Sequence, residues 1–323
     1  MGKVVLSTVK LPEDSLKALS NLAEVYELPN LSERGLEEVV PRVNVLMCWC
    51  SREFDLAKWI SRMANLEVIQ TFSAGVDHLP YGVIPGKVRI FSNAGAYSEP
   101  VAEHAWAMIL ALAKGVYSRT MDRHTYLNDP AYSPRRITGA NLLVLGTGGI
   151  GREVARIGKL AFRMHTIGVN RSGRPVEYFD EVYPSSRLRE ALPKGDVVVI
   201  ALPLNKYTRR LIGRQELELL PRGAIVVNVG RGDVVDEEAL YEFLSRRRDV
   251  RFGTDVFWDY GQGESFTTKT PLLSLPNFLG TPHVAGGAQR EVAENAVRIA
   301  VNNVLRYLRG EAPLNEVDRS DYI

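Results

Sequence analysis

The stretch Leu142-Leu143-Val144-Leu145-Gly146-Thr147-Gly148-Gly149-Ile150-Gly151-Arg152 decides how this chain folds. An apolar run fit for a buried strand leads into three glycines in G-x-G-x-x-G spacing, and residues able to start a helix follow. Gly146 permits a tight strand-to-helix turn. Gly148 lets a pyrophosphate approach the backbone. Gly151 lets the helix pack close to the strand. Gly149 and Ile150 then lie where a helix N-terminus offers unpaired N–H groups to an anion. Residues 153–162 read as helix and residues 164–170 as the next strand, which is the βαβ order the motif requires.

Upstream, the same rhythm recurs. Strands are expected at residues 3–9, 25–28, 43–50, 66–72 and 88–92, with helices at 12–22, 31–40 and 54–63 between them. Ser32 is placed to cap the second helix. Apart from Asn44, the run at 43–50 is apolar, as a parallel strand buried on both faces should be. Ser98 and Pro100 then signal a helix start, and residues 101–114 are apolar nearly all round, so that helix should be buried. Residues 122–138 are polar and aromatic, with Pro130 and Pro134, and read as an irregular connection or subunit contact. Downstream of the glycine motif, strands are expected at 196–202, 224–229, 250–256 and 278–280, with helices at 215–219, 237–247 and 288–309. Two α/β units with doubly wound parallel sheets follow from this alternation.

Composition narrows the function. A chain of 323 residues suits two domains, and a hydrophobic share of 45% with a net charge of +2 fits a globular protein. That charge favours neither nucleic acid nor an anionic membrane as a partner. The N-terminus reads as a strand, with no signal-peptide pattern, so a cytoplasmic protein is expected. Cys48 and Cys50 share one face of a strand, which disfavours a disulfide and makes a poor metal site. No metal is expected.

Several strings fit one family: SAGVD (73–77), NAGAYSEPVAEHA (93–105), GTGGIG (146–151), LPLNKYTRRLIG (202–213), VNVGRGDVVDEEAL (227–240), GTDVF (253–257) and LPNFLGTPHVAGG (275–287). Together they resemble the D-isomer-specific 2-hydroxyacid dehydrogenases, from about residue 43 to 310. The resemblance implies two flavodoxin- or Rossmann-like domains with an active-site cleft between them. The substrate domain would comprise residues 1–97 and 288–323, and the dinucleotide-binding domain residues 98–287. It also implies a homodimer and the interconversion of a small 2-keto acid, such as glyoxylate or hydroxypyruvate, with its D-2-hydroxy acid.

Such chemistry needs a cation for the carboxylate, an acid for the carbonyl oxygen and a hydride donor. Arg231 follows an apolar strand at its carboxyl end and carries a planar fork suited to a carboxylate. His283 can give or take a proton near neutral pH, and alone among the five histidines it stands in the family's TPH setting. The backbone N–H groups of Ala74, Gly75 and Val76 are implied to complete carboxylate binding. Pro203, Thr208, Val229 and Asp255 are implied to line the cofactor, with Asp255 at the nicotinamide amide.

The carboxylate expected to partner His283 is where the chain departs from the family. Counting forward from Asp255 puts Tyr260 at the usual glutamate position. Counting back from His283 through PLLSLPNFLGTPH puts Glu264 there, seven residues before Pro271. An insertion around Gly261-Gln262-Gly263 reconciles the two counts, with Asp259 as the runner-up. The cofactor also bears on charge. An NAD site usually carries an acid at the tip of its second strand, whereas here Asn170-Arg171-Ser172-Gly173-Arg174 offers two arginines, which suits the 2′-phosphate of NADP better than NAD.

Alternatives stay open. Phosphoglycerate dehydrogenase is one, with Arg52 as a phosphate contact. Formate dehydrogenases carry glutamine where glutamate is expected and are longer. A dinucleotide-sensing, partner-binding protein of the family's corepressor type is a third.

Overall fold

The computed structural model describes residues 2–49, 54–118, 120–261, 263–287 and 290–323. Its elements run β1 (Lys3–Ser7), α1 (Glu13–Ser20), β2 (Ala23–Glu27), α2 (Glu33–Val39), β3 (Val45–Cys48), α3 (Leu56–Ile60), β4 (Val68–Thr71), β5 (Arg89–Phe91) and α4 (Ser98–Lys114). Then come α5 (Arg123–Asn128), β6 (Asn141–Leu145), α6 (Gly149–Phe162), β7 (His165–Asn170), β8 (Glu181–Pro184), α7 (Leu188–Ala191) and β9 (Val197–Ile200). The chain closes with α8 (Arg214–Leu217), β10 (Ile225–Asn228), α9 (Glu237–Arg246), β11 (Arg251–Thr254), β12 (Phe278–Gly280) and α10 (Arg290–Leu308). It divides into two compact units, residues 1–97 with 288–323, and residues 98–287.

The first unit is a five-stranded parallel sheet in the order β2-β1-β3-β4-β5. This is the flavodoxin-type order. Every residue of β3 and β4 is buried; β3 is accordingly apolar throughout, and in β4 the buried Gln70 and Thr71 are satisfied by hydrogen bonds to the Thr71 and Ser73 carbonyls. One face packs Leu36, Val39, Trp59 and Ile60; the other packs Leu19 and the α10 stripe of Ala300, Val301, Val304 and Leu305. Ser32 caps α2 by accepting the Gly35 N–H at 3.1 Å.

The second unit is a seven-stranded parallel sheet, β12-β11-β10-β9-β6-β7-β8. Strand order reverses between β6 and β9, the switch point at whose carboxyl edge open α/β sheets bind ligands. The glycine motif sits there. A Cβ on Gly151 would lie 1.9 Å from the Gly146 carbonyl oxygen, so only glycine lets α6 leave β6 this closely.

Some expectations need correction. Ser98 is the first residue of α4 rather than its cap. The connection at 122–138 is not wholly irregular, since Asp122 caps α5 by accepting the Thr125 N–H at 2.8 Å. α6 begins at Gly149, inside the motif. β8 had no periodic signal because it is a half-buried edge strand ending in Pro184. Cys48 is buried, while Cys50 and Arg52 lie outside the described residues. Among the described residues, no helix is long and apolar enough to cross a membrane.

Strand β11 opens with an arginine that is 0% exposed. The Arg251 guanidinium donates to the carbonyls of Leu112, Pro130 and Ser133 and so pins the connection onto the sheet. Burial pulls its pKa down to about 10, helped by the nearby charge of Arg135.

Candidate functional site

Parallel register aligns the carboxyl ends of three strands, with Asn228 beside Thr254 and Thr254 beside Gly280. The residues just beyond these ends therefore gather at one edge of the second unit. They include Arg231, Asp255, Thr281 and His283.

Arg231 stands in extended backbone before a short 3-10 turn and is half-buried. Its two glycine neighbours explain its position. A Cβ on Gly230 would come within 2.5 Å of the Leu202 carbonyl oxygen, and one on Gly232 within 2.1 Å of the Phe257 carbonyl oxygen. The turn is thus wedged between the 202 and 257 segments with no room for other side chains. Buried Asn228 fixes it further, accepting the Gly230 N–H at 3.0 Å and donating to the Arg231 carbonyl at 3.0 Å. One guanidinium nitrogen, Nη1, donates to the Gly230 carbonyl at 2.9 Å.

His283 pairs through Nδ1 with Glu264 Oε2. The other oxygen of Glu264 accepts the Phe257 N–H at 2.6 Å, which aims the carboxylate. Phe257 thus touches both the Arg231 turn and the Glu264 carboxylate. A carboxylate on Nδ1 leaves the second ring nitrogen, Nε2, for proton exchange, and it stabilises the imidazolium.

Asp259 and Tyr260 have other work. Asp259 Oδ1 accepts the N–H groups of Gly261 at 2.7 Å and Gly263 at 3.0 Å, closing a tight turn in which residue 259 bridges residue 264. The Tyr260 hydroxyl donates to Glu237 Oε2 at 2.6 Å and accepts the Lys269 N–H at 3.0 Å. Burial, with that hydrogen bond to Glu237, pushes the phenol far up from its ordinary range. Next to Arg231, burial also raises the Asp233 carboxyl against the lowering pull of the Asp259 N–H and Arg209.

This arrangement separates the two acids by experiment. Glu264→Gln should lower kcat for keto-acid reduction, because the imidazolium at His283 loses the charge that stabilises it. Asp259→Asn should leave kcat nearly unchanged, because its bonds are to backbone N–H groups of the turn. A kcat lowered by Asp259→Asn and not by Glu264→Gln would reverse the two roles.

The glycine segment forms a second cluster on this edge. A Cβ on Gly148 would meet no protein atom within 4 Å, and the 14-residue α6 begins with no side-chain cap. Gly149 and Ile150 are half-buried at that helix start. Open space facing a helix N-terminus fits the pyrophosphate of a dinucleotide. Asn170 ties the neighbouring turn to this loop. Its Nδ2 donates to Thr147 Oγ1 at 3.1 Å and the Arg174 carbonyl at 3.0 Å, while Oδ1 accepts the N–H groups of Ser172 and Gly173. Arg171, Ser172 and Arg174 are exposed there. The Arg171 guanidinium lies 5.9 Å over the Tyr207 ring, and Thr208 closes that loop by donating to the Pro203 carbonyl at 2.6 Å. Val229 is buried and donates its N–H to Ile200 at 3.0 Å.

Asp255 is 1% exposed. Its carboxylate accepts the Thr281 hydroxyl at 2.7 Å and the N–H groups of Val284 and Ala285 at 3.0 and 2.8 Å. His104, on α4, lies 2.9 Å from the Thr281 oxygen. Sequence reasoning passed over His104, Thr281 and Asn228. Their partners lie far along the chain, and no local pattern marks them.

In the first unit, Ala74, Gly75 and Val76 follow β4 at the carboxyl edge of the sheet. Among the described residues, none of their N–H groups donates a hydrogen bond. Donors of that kind suit a carboxylate.

Comparison with known proteins agrees with the geometry. Residues 106–285 match the model of the D-isomer specific 2-hydroxyacid dehydrogenase NAD binding domain. The chain is 32% identical to a glyoxylate reductase of Aeropyrum pernix over 80% of its own length and 78% of the relative's. It is 30% identical to a D-3-phosphoglycerate dehydrogenase of Methanocaldococcus jannaschii over 97% of its own length, but spans only 59% of that longer protein. Among solved structures, a D-isomer specific 2-hydroxyacid dehydrogenase from Xanthobacter autotrophicus, in complex with NADPH and MES, superposes with a TM-score of 0.77 at 26% identity, covering 99% of each chain.

Proposed function

Since the chain belongs to the D-isomer specific 2-hydroxyacid dehydrogenases, we propose that it reduces a small 2-keto acid, glyoxylate or hydroxypyruvate or a close relative, to its D-2-hydroxy acid, and prefers NADP to NAD. The observation that carries this reading is the Glu264–His283 pair on the same strand-end edge as Arg231. A nicotinamide dinucleotide held at the glycine segment of residues 146–151 would supply or accept the hydride. Arg231 holds the substrate carboxylate through its fork. His283 Nε2 gives a proton to the carbonyl oxygen in reduction and takes it back in oxidation, while Glu264 on Nδ1 stabilises the charged ring. In the first unit, the N–H groups of Ala74, Gly75 and Val76 are suited to a carboxylate. Asp255 would face the nicotinamide amide, and residues 203–208 with Val229 would line the dinucleotide. The glyoxylate reductase relative supports the substrate class.

Support for NADP comes from the exposed pair Arg171 and Arg174 and from the NADPH complex of the Xanthobacter enzyme. Arg171→Ala combined with Arg174→Ala is expected to raise the Kd of NADPH at least tenfold, the scale of about 1.4 kcal/mol for lost phosphate contacts. NADH, which has no 2′-phosphate, should be nearly unaffected. Equal weakening of both would show that these arginines do not read that phosphate.

A cytoplasmic homodimer belongs to the same reading. The connection between α4 and β6 exposes Val116, Met121 and Leu127, apolar side chains suited to a second copy. Phosphoglycerate dehydrogenase is the second reading, favoured by the Methanocaldococcus relative. The test is a panel of 2-keto acids and 3-phosphohydroxypyruvate, each with NADPH and NADH. Turnover on the order of 1 s⁻¹ or above with glyoxylate or hydroxypyruvate supports the reading. Absence of turnover with every 2-keto acid would remove it and leave the dinucleotide-sensing class.

A further inference from the structure

We propose that His104 is a positioning residue for this reaction, acting through Thr281 and Asp255 on the turn that presents His283. The proposal rests on the reading of His283 as the proton donor.

His283 has a φ of +52°, the left-handed region that a residue with a Cβ enters only when its surroundings enforce it. Asp255 supplies that enforcement. One of its oxygens accepts from the Thr281 hydroxyl and the Val284 N–H, and the other from the Ala285 N–H. A single buried carboxylate therefore grips the chain on both sides of His283. The His283 N–H also turns back to the Thr281 carbonyl at 3.0 Å.

The Thr281 hydroxyl has one hydrogen, and that hydrogen goes to Asp255, because an ionised carboxylate can only accept. Its oxygen still faces His104 Nε2 at 2.9 Å. Nε2 must then carry the hydrogen and donate to Thr281, which sets the tautomer of His104. The same nitrogen lies 3.4 Å from Asp255 Oδ1. The result is a directed series, His104 to Thr281 to Asp255, in which each bond polarises the next. Its origin is rigid. α4 is anchored by buried Ala102, Ala105, Trp106 and Ile109 and packs on α6, β10 and β11. With His104 gone, the Thr281 oxygen loses its donor, and the hydroxyl is held only by its own bond to Asp255. The strained turn then relaxes, and the imidazole shifts from Glu264. A shift of about 1 Å can cost on the order of a hundredfold in rate.

The test uses the full-length enzyme with glyoxylate and NADPH. His104→Leu and Thr281→Val keep shape and remove the hydrogen-bonding groups. Each is expected to lower kcat roughly ten- to a hundredfold, with the keto-acid KM nearly unchanged, because carboxylate binding belongs to Arg231. His104→Gln, whose amide N–H reaches the position of Nε2, and Thr281→Ser, which keeps the hydroxyl, should restore most of kcat. A purely structural role would lower Tm without this split or this rescue. Unchanged kcat in the Leu and Val variants overturns the proposal, as does equal loss in Gln and Ser. Should His104→Leu not fold, the Thr281→Val and Thr281→Ser pair gives the same reading. His283→Gln, measured alongside, separates the two levels. If it keeps wild-type kcat, the assignment of His283 fails. If it is inactive while His104→Leu and Thr281→Val are not, only the present proposal fails.

Discussion

Arg231→Ala is expected to abolish most of the kcat/KM for a 2-keto acid while leaving the protein folded. The guanidinium is the one cation in the G-R-G turn, and its two parallel N–H donors match a carboxylate in a way that a point charge does not. Removing a charge-assisted bidentate contact costs about 2–5 kcal/mol, which corresponds to a loss of roughly thirtyfold to several thousandfold. The fold should not notice. The turn is held by Asn228 and by the close approach of Gly230 and Gly232 to neighbouring backbone, and these survive the substitution. Arg231→Lys keeps the charge and loses the fork, so it should recover only part of the activity. Steady-state kinetics with glyoxylate and hydroxypyruvate, with Tm as the control on folding, measures this. An alanine variant within about threefold of wild type would remove Arg231 from substrate binding.

His283→Gln should lower the rate by about 10²–10⁴-fold, the usual worth of general acid–base catalysis. Glutamine keeps the approximate size and a hydrogen-bonding end toward Glu264, but no proton that titrates near neutrality. The glycine segment proposed for the pyrophosphate follows β6 and the arginine turn proposed for the 2′-phosphate follows β7, whereas His283 follows β12, so NADPH affinity should change little. Fluorescence titration of NADPH and a pH–rate profile together test the role. Loss of the titration in the profile is expected. A variant that retains the wild-type profile would show that another group moves the proton. The substitution sits at φ +52°, so thermal unfolding must be compared before a rate loss is read as chemistry.

By itself, the sequence determined the alternation of buried strands and helices, the glycine turn and the two-unit organisation. Each rests on a short-range rule. Apolar runs such as Val45–Cys48 mark strands covered on both faces. Gly146 and Gly151 stand where one turn and one close contact demand them, and Gly148 leaves open space beside them. The G-R-G string was also legible as a candidate site, because an arginine after a buried parallel strand must emerge at its carboxyl edge.

Tertiary structure alone decided the side-chain partners. Two counts along the chain put different residues opposite His283. What distinguishes them is the closure of the 259–264 turn, where Asp259 takes the N–H groups of two glycines and Glu264 is left for Phe257 and His283. His104 meets Thr281 across 177 residues of sequence, and Arg251 reaches carbonyls 118 to 139 residues away. Periodicity reports which face of one element is buried. It carries no information on which distant polar group waits there, because a buried donor or acceptor takes whatever partner the packing of other elements brings within hydrogen-bonding range.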